Sequence, residues 1–244
     1  MLELKQITKS FPGIFEPVLN GISLRLAVGE FCVVIGANGS GKSTLLKIIS
    51  GEYLADSGEI TRQGAVCEVG QDVNKGTVSS LTLLENVALS QIRKEKPKFA
   101  FYNRFKQDII KEIKKIGIGL EKLINQPISS LSGGQRQIIA TLMAFNSGGQ
   151  ILALDEHTSA LDPKMQIMLM EYSVKSIMEQ NLTTLMITHK MDDAIKYGNR
   201  LIMLNKGKIV VDIKESEKSK LKTQDLLEMF HKYEDQVLLP GGTK

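Results

Sequence analysis

The sequence has few of the residues that mark secreted, metal-binding or membrane-spanning chains. Cys32 and Cys67 are its 2 cysteines, and neither has a second Cys or a His close to it in the chain, so neither a disulfide framework nor a zinc site is indicated. No apolar run approaches the roughly 20 residues that a membrane-spanning helix needs. The N-terminal stretch MLELKQITKS lacks the apolar core of a signal peptide. We therefore expect a reducing compartment, and a membrane role only through a partner.

The sequence also lacks a strong excess of charge of either sign. Lys and Arg number 31 and Asp and Glu 27, and the net charge of +4 is too mild to require nucleic acid, so no nucleic-acid partner is expected. The basic residues are scattered apart from the run IRKEKPKFAFYNRFK at 92–106, which we interpret as a solvated helix face. With 244 residues, the chain is long enough for one sizeable core and an inserted subdomain.

One stretch, VVIGANGSGKSTLLKIIS at 33–50, combines glycines with a lysine and hydroxyls in a fixed order. Its spacing Gly36-x-x-x-x-Gly41-Lys42-Ser43 fits the phosphate-binding loop in full. Glycines bring backbone N–H groups up to an anion, and the following helix directs its positive N-terminus to the same place. Lys42 is expected to reach the outer phosphates of a nucleotide, and the Ser43 hydroxyl to bind Mg²⁺. The alternative is a glycine-rich turn that binds nothing, but a buried strand before the loop and an apolar helix face after it favour the nucleotide. The predicted contacts are Gly36, Asn38, Gly39, Ser40, Gly41, Lys42, Ser43 and Thr44.

Continuous apolar runs predict strands that are buried on both faces, as in parallel sheets between helices. These runs are FCVVI at 31–35, ILALD at 151–155, TTLMIT at 183–188 and LIML at 201–204. By contrast, ISLRLAV at 22–28 alternates and predicts a strand with one wet face. Helices are expected at 42–49, 163–179 and 191–197, and Asp162 followed by Pro163 forms an N-cap for the second. The pattern indicates an α/β fold.

Between 71 and 130 helical patterning replaces the buried-strand signal. Thr82 and Glu85 have capping-box spacing, and a later helix carries an apolar face. That face consists of Ile109, Ile110, Ile113 and Ile116. We expect a helical subdomain at 72–145, a core at 1–71 and 146–213, and a charged extension at 214–244 with one amphipathic stretch and frayed last residues.

Two further motifs carry chemistry. Asp155 and Glu156 follow the second buried strand, where Asp155 can hold Mg²⁺ and Glu156 can reach the water that attacks the γ-phosphate. Seen alone, two adjacent carboxylates are as often solvated loop residues. In LSGGQRQ at 131–137, Ser132 and Gln135 have capping-box spacing, and the glycines, Gly134 among them, expose N–H groups at a helix start. This motif predicts a second anion site.

With these motifs in this order, nearly the whole chain resembles the ABC-type ATPases, the nucleotide-binding subunits of ABC transporters. The resemblance implies a phosphate-loop NTPase core with a mainly parallel sheet flanked by helices, an antiparallel β subdomain and an inserted α-helical subdomain. It also assigns Gln71 to the junction of the subdomains, as a catalytic and Mg²⁺-binding residue, and Asp162 in SALD to the nucleotide. His189, which alone would be read as a core or capping histidine, is implied to bind the γ-phosphate and orient the attacking water. Phe11 is implied to stack on adenine, with Phe15 as a competitor.

The resemblance further implies partners. The signature motif, LSGGQRQ at 131–137, of one copy covers ATP held by the phosphate loop of a second copy, which makes a two-fold dimer. His157, at a position where most ABC ATPases have proline, and the stretch at 70–90 are similar to the ATPase component of a bacterial uptake system. Such systems include tryptophan- or tyrosine-type importers with a separate permease and a periplasmic or lipid-anchored substrate-binding protein. The expected place is the cytoplasm, peripheral to the inner face of the cell membrane.

One alternative function and one expected docking surface complete the interpretation of the sequence. A soluble ABC ATPase that acts in iron–sulfur cofactor assembly is the alternative function. The segment at 72–87 is expected to receive a short helix of the permease and to expose apolar side chains such as Leu81 or Leu83.

Overall fold

The computed structural model describes residues 1–72, 76–91 and 101–235. They form two compact units, one from the described parts of Met1–Gly64 and Leu182–Lys244 and the other from those of Ala65–Asn181. The predicted charged face at 92–106 lies largely outside the described residues, as do the last residues of the extension. The narrower subdomain bounds at 72–145 stay a prediction.

The elements follow one another as strands and helices in mixed order. In chain order they are β1 (Leu2–Lys9), β2 (Leu19–Leu26), β3 (Phe31–Ile35), α1 (Lys42–Ser50), β4 (Ser57–Arg62), β5 (Val66–Val69), α2 (Leu83–Gln91), α3 (Phe101–Ile116), α4 (Gly133–Asn146), β6 (Ile151–Asp155), α5 (Pro163–Glu179), β7 (Thr183–Ile187), α6 (Met191–Lys196), β8 (Arg200–Asn205), β9 (Lys208–Lys214), α7 (Glu215–Lys218) and α8 (Thr223–Asp235). Short 3-10 turns at Leu120–Leu123 and Ile128–Ser130 precede α4.

The first unit contains an antiparallel sheet of three strands in the order β2-β1-β4. Strand β2 buries every second or third residue and exposes its other face to solvent, as its alternating sequence predicts. Strand β1 was not predicted, because its buried residues Leu2, Leu4 and Ile7 do not keep a period of two. A register shift falls between Leu4 and Ile7, and Gln6 there has a φ of 51°.

The same unit contains the strands that carry the phosphate loop. Strand β3 is fully buried and pairs in parallel with β7 on one side and β8 on the other. Strand β9 closes this sheet through antiparallel pairing with β8. The continuous apolar runs of this unit therefore form the buried parallel strands β3, β7 and β8, as predicted, and their carboxyl ends lie at one edge of the sheet.

Among its described residues, the second unit combines one parallel strand pair, β5 and β6, with four α-helices. Helix α2 packs against α3 and α4, and α3 packs against α5. On α3, Ile109, Ile113 and Ile116 are buried and Ile110 is half-buried, which confirms the predicted apolar face. The Thr82 hydroxyl accepts a hydrogen bond from the Glu85 N–H at 3.2 Å, so the predicted capping box is present ahead of α2.

In the part of the chain that the structure describes, no helix is both long enough and apolar enough to cross a membrane.

Candidate functional site

The loop between β3 and α1 makes a tight turn that only glycine accommodates. Gly36, Gly39 and Gly41 have φ values of 152°, 78° and 103°, in the region that favours glycine. A Cβ on Gly36 would lie 2.3 Å from the Leu204 carbonyl oxygen, and one on Gly41 2.7 Å from that of Val18. Close backbone approach therefore fixes both ends of the predicted phosphate loop.

Lys42 is the first residue of α1, and only 6% of it is exposed. Its ammonium donates to the carbonyl oxygens of Gly36 at 2.8 Å and Ala37 at 2.9 Å. A buried cation needs such acceptors, and phosphate oxygens would supply stronger, charge-assisted ones. The first turn of α1 points N–H groups at the same loop, where the helix dipole favours an anion. The residues present thus fit a bound phosphate chain.

The remaining loop residues differ in their exposure. Asn38 and Ser43 are exposed, Thr44 is half-buried, and Ser40 is buried and takes part in the turn through its backbone. An exposed hydroxyl at Ser43 can bind a cation held by phosphates. Among the described residues no three His, Cys, Asp or Glu side chains cluster as metal ligands. A magnesium ion at Ser43 would therefore draw on this hydroxyl and on phosphate oxygens.

His189 lies at the same sheet edge as the phosphate loop. Strands β7 and β3 run in parallel with Ile187 beside Val34, and the Thr188 N–H donates to the Val34 carbonyl at 3.2 Å. His189 follows directly and is exposed. The Lys190 N–H donates to the Thr188 hydroxyl at 3.1 Å, which closes a turn around the histidine. The first unit therefore brings the two motifs to one edge, although Ser43 and His189 are far apart in the sequence.

Phe11 is held in place, and Phe15 is not. The half-buried Phe11 ring contacts Tyr53 edge to face, with 5.5 Å between centroids, and the Lys9 ammonium lies 5.5 Å from its centre. Phe15 is fully exposed. A stacking surface for a base needs a fixed ring, so the structure favours Phe11. Sequence reasoning missed Tyr53, since nothing local links it to position 11.

The second unit gathers three of the predicted residues in the same way. Strands β5 and β6 are parallel with Val69 beside Leu154, so Gln71, two residues after β5, lies at the edge where β6 ends in Asp155. Asp155 is buried and Glu156 is half-buried. Glu156 has a φ of 50°, an uncommon value for a residue with a side chain.

The signature motif begins α4 as its spacing predicts. The Gln135 N–H donates to the Ser132 hydroxyl at 3.2 Å, and the Ser132 N–H donates to Gln135 Oε1 at 3.0 Å. A Cβ on Gly134 would lie 2.9 Å from Leu161 Cδ2 and 3.2 Å from the Ala160 carbonyl oxygen. Glycine therefore lets the start of α4 pack against the loop that contains SALD.

Asp162 and His157 have structural partners of their own. Asp162 Oδ1 accepts from the N–H groups of Lys164 at 3.1 Å and Met165 at 3.0 Å, which confirms it as the N-cap of α5. His157 is buried, its Nε2 lies 3.4 Å from the Ser173 hydroxyl, and burial lowers its pKa to about 4. The sequence marks His157 as unusual but gives no sign of Ser173.

The expected docking segment needs one correction. Leu83 is not exposed, because it lies in the first turn of α2 and faces the core, with its N–H bonded to the Gln126 carbonyl. Leu81 is half-buried. Among the described residues of the segment, the exposed large apolar side chain is Val78, which is 46% exposed. Its backbone is fixed by the buried Asn86 amide through bonds of 2.7 and 3.0 Å. Residues 73–75 of this segment lie outside the described residues.

Comparison with known proteins links these motifs to one family. The ABC transporter family matches residues 19–159. The chain is 39% identical to a tyrosine transport ATP-binding protein of Clostridioides difficile, over 94% of this chain and 98% of that one. It is 31% identical to a spermidine/putrescine import ATP-binding protein of Mycoplasma mycoides, over 86% of this chain but only 60% of that relative's length.

A solved structure agrees with both the fold and the family. It shows a dimer of the ATP-binding cassette MJ0796 in a post-hydrolysis state bound to ADP and Pi. The superposition has a TM-score of 0.78 at 29% identity and covers 88% of this chain and 99% of that one. The expected phosphate-loop NTPase fold is confirmed.

Proposed function

We propose that this chain, which belongs to the ABC transporter family and is an ATPase, powers the import of a small solute through a separate permease. The catalytic part of the proposal rests on the sheet edge that the phosphate loop shares with His189. The hydrogen bond from the Thr188 N–H to the Val34 carbonyl fixes that edge. The relatives named for tyrosine and polyamine transport support the import part.

Nucleotide binding is assigned to the phosphate loop, α1 and Phe11. The loop N–H groups and the N-terminus of α1 bind the phosphates, Lys42 neutralises the outer charges, and Phe11 stacks on adenine. Ser43, Asp155 and Gln71 would hold Mg²⁺, which when bound neutralises charge on the β- and γ-phosphates. The close backbone approach at Gly36 and Gly41 supports this assignment, because side chains there would collide with the Leu204 and Val18 carbonyls and distort the loop.

Hydrolysis is assigned to Glu156 and His189. Glu156 accepts a proton from the water that attacks the γ-phosphate, and its half-buried position after β6 suits a base that must meet water. His189 hydrogen-bonds the γ-phosphate and orients the same water. Its exposure at the sheet edge leaves the imidazole accessible to a ligand.

We assign the signature motif to a second copy of the chain. Ser132, Gly134 and Gln135 begin α4 with a backbone that can approach an anion, and Asp162 caps the neighbouring α5. In the proposed dimer these residues cover ATP held by the phosphate loop of the other copy. The dimeric cassette of similar structure supports this arrangement.

The names of the relatives support a proposal for the cargo and the partners. An amino acid such as tyrosine is the proposed solute. Its delivery to the permease is assigned to a periplasmic or lipid-anchored binding protein. The chain would then lie in the cytoplasm, peripheral to the inner face of the membrane. Val78 presents an apolar side chain on a fixed backbone, which suits a short helix of the permease.

Co-purification and uptake test the proposal together. Tagged chain is isolated from native membranes, its bound proteins are identified, and uptake of labelled tyrosine and tryptophan is measured in a deletion strain that carries either the wild-type gene or Glu156→Gln. We expect a polytopic permease in the complex and uptake only with the wild-type gene. Recovery of iron–sulfur assembly proteins in place of a permease, with normal uptake in the deletion strain, would support the alternative function.

A further inference from the structure

Lys218 in α7 is buried against the end of another helix. Only 3% of the residue is exposed, and its ammonium donates to the carbonyl oxygens of Ile195 at 3.1 Å, Gly198 at 2.8 Å and Tyr197. These carbonyls surround the C-terminus of α6, where orphan acceptors and the negative end of the helix dipole both favour a cation. Lys218 is therefore a side-chain cap supplied from the extension at 214–235.

The other end of α6 is held from the same extension. The Thr223 hydroxyl, at the start of α8, donates to Asp192 Oδ1 in the first turn of α6 at 2.8 Å. Helix α8 is itself tied to β8, because the Asn205 amide donates to the Tyr233 carbonyl at 2.9 Å. The extension thus contacts both ends of one short helix.

Helix α6 needs this support, and it is connected directly to His189. It has 6 residues, too few to be stable without tertiary contacts. It begins two residues after His189, and the Ala194 N–H donates to the Lys190 carbonyl at 3.0 Å, so the turn that contains the histidine continues into the helix. A shift of α6 would move His189 with it.

We propose that the extension positions His189 by clamping α6 at both ends, with Lys218 as the principal positioning residue. This inference rests on the role that the proposed function gives to His189. Burial lowers the pKa of Lys218 to about 8, so keeping its ammonium charged in this position costs desolvation free energy. A residue that only filled space would not incur this cost.

The test compares Lys218→Met with Lys220→Met. Methionine keeps the apolar stem but removes the cap, and Lys220 is an exposed lysine just after α7. The chain has only 3 histidines, so long-range ¹H–¹⁵N spectra can resolve every imidazole, with the buried His157 as internal reference. In Lys218→Met we expect the His189 signals to shift or broaden while those of His157 stay, and kcat to fall about 10-fold with the Kd for ATP within about 2-fold. Lys220→Met is expected to match the wild type.

Unchanged His189 signals with unchanged kcat in folded Lys218→Met would overturn the inference. If that variant does not fold, Thr223→Val removes the contact at the other end of α6 and decides in the same way. His189→Ala separates the two levels of the argument. If it hydrolyses ATP at the wild-type rate, the role given to His189 in the proposed function is wrong, whereas the imidazole signals of Lys218→Met still report whether the clamp positions that residue.

Discussion

His157 Nε2 lies 3.4 Å from the Ser173 hydroxyl, and both residues are buried in the second unit. His157 directly follows Glu156, whose φ of 50° is unfavourable for a residue with a side chain. The buried imidazole anchors the chain to α5 at the point where the proposed base leaves its strand. Burial in this position favours the neutral form of the His157 imidazole over the protonated form.

We predict an acid-sensitive stability that depends on His157. Burial lowers its folded-state pKa from the ordinary 6.5 to about 4, so between these values the unfolded chain binds a proton that the folded chain does not. Stability therefore falls as the pH drops through this window and levels off below about 4. The expected loss is about 3 kcal/mol, to be measured by urea unfolding of the nucleotide-free chain at several pH values.

His157→Asn keeps a polar group near Ser173 but cannot titrate. Its free energy of unfolding is therefore expected not to show this loss between pH 6.5 and about 4. His231→Asn, which removes an exposed histidine from α8, serves as the matched control. Parallel curves for the wild type and His157→Asn would show that another group causes the acid sensitivity.

Elements with a strong apolar pattern were predictable from the sequence alone, and weakly patterned ones were not. The predicted bounds of β3, β6 and α5 agree with the structure, because buried runs and an Asp-Pro cap leave little ambiguity. Strand β4 was missed because most of its residues are exposed, and β5 because it has only 4 residues. The antiparallel partner β9 was also not predicted, and Ile213 is the one buried residue of this largely half-buried and exposed strand.

The site shows the same division. Motif residues such as Gly36, Lys42 and Ser132 could be named because backbone turns and helix caps are local. The residues that hold the site in place could not be named from local sequence. Tyr53 beside Phe11 and Lys218 at the end of α6 are set by chain folding across tens of residues, and neither has a local pattern.

Removal of the loop lysine should abolish tight ATP binding. In Lys42→Ala the site loses the buried ammonium that lies between the Gly36 and Ala37 carbonyls, and with it the charge that phosphates need. We expect the affinity for ATP to fall about 10²-fold or more in an equilibrium titration. Lys5→Ala, at an exposed lysine of β1, should bind normally. Near-normal affinity in folded Lys42→Ala would count against the assigned phosphate loop.

Replacement of the proposed base should separate binding from turnover. Glu156→Gln keeps the shape and hydrogen bonding of the side chain but cannot accept the proton, so turnover should fall about 10²- to 10⁴-fold. ATP binding should survive, and dimers should therefore accumulate with ATP in gel filtration. Glu179→Gln, at the exposed end of α5, is the control. A wild-type rate, or a monomer in the presence of ATP, would point to another base.

A charge on the proposed docking surface should uncouple transport from hydrolysis. Val78→Glu places a carboxylate on a side chain that is 46% exposed, while the Asn86 amide still fixes the backbone, so the fold should tolerate it. We expect solute uptake by the assembled transporter to be lost and the basal ATPase rate of the isolated chain to stay within about 3-fold, since an apolar contact and not the nucleotide site is disturbed. Met178→Glu, at a side chain of α5 that is 75% exposed, is the matched control and should transport normally. Normal uptake with Val78→Glu would remove this surface as the docking site. A parallel loss of basal hydrolysis would show instead that the segment belongs to the catalytic machinery.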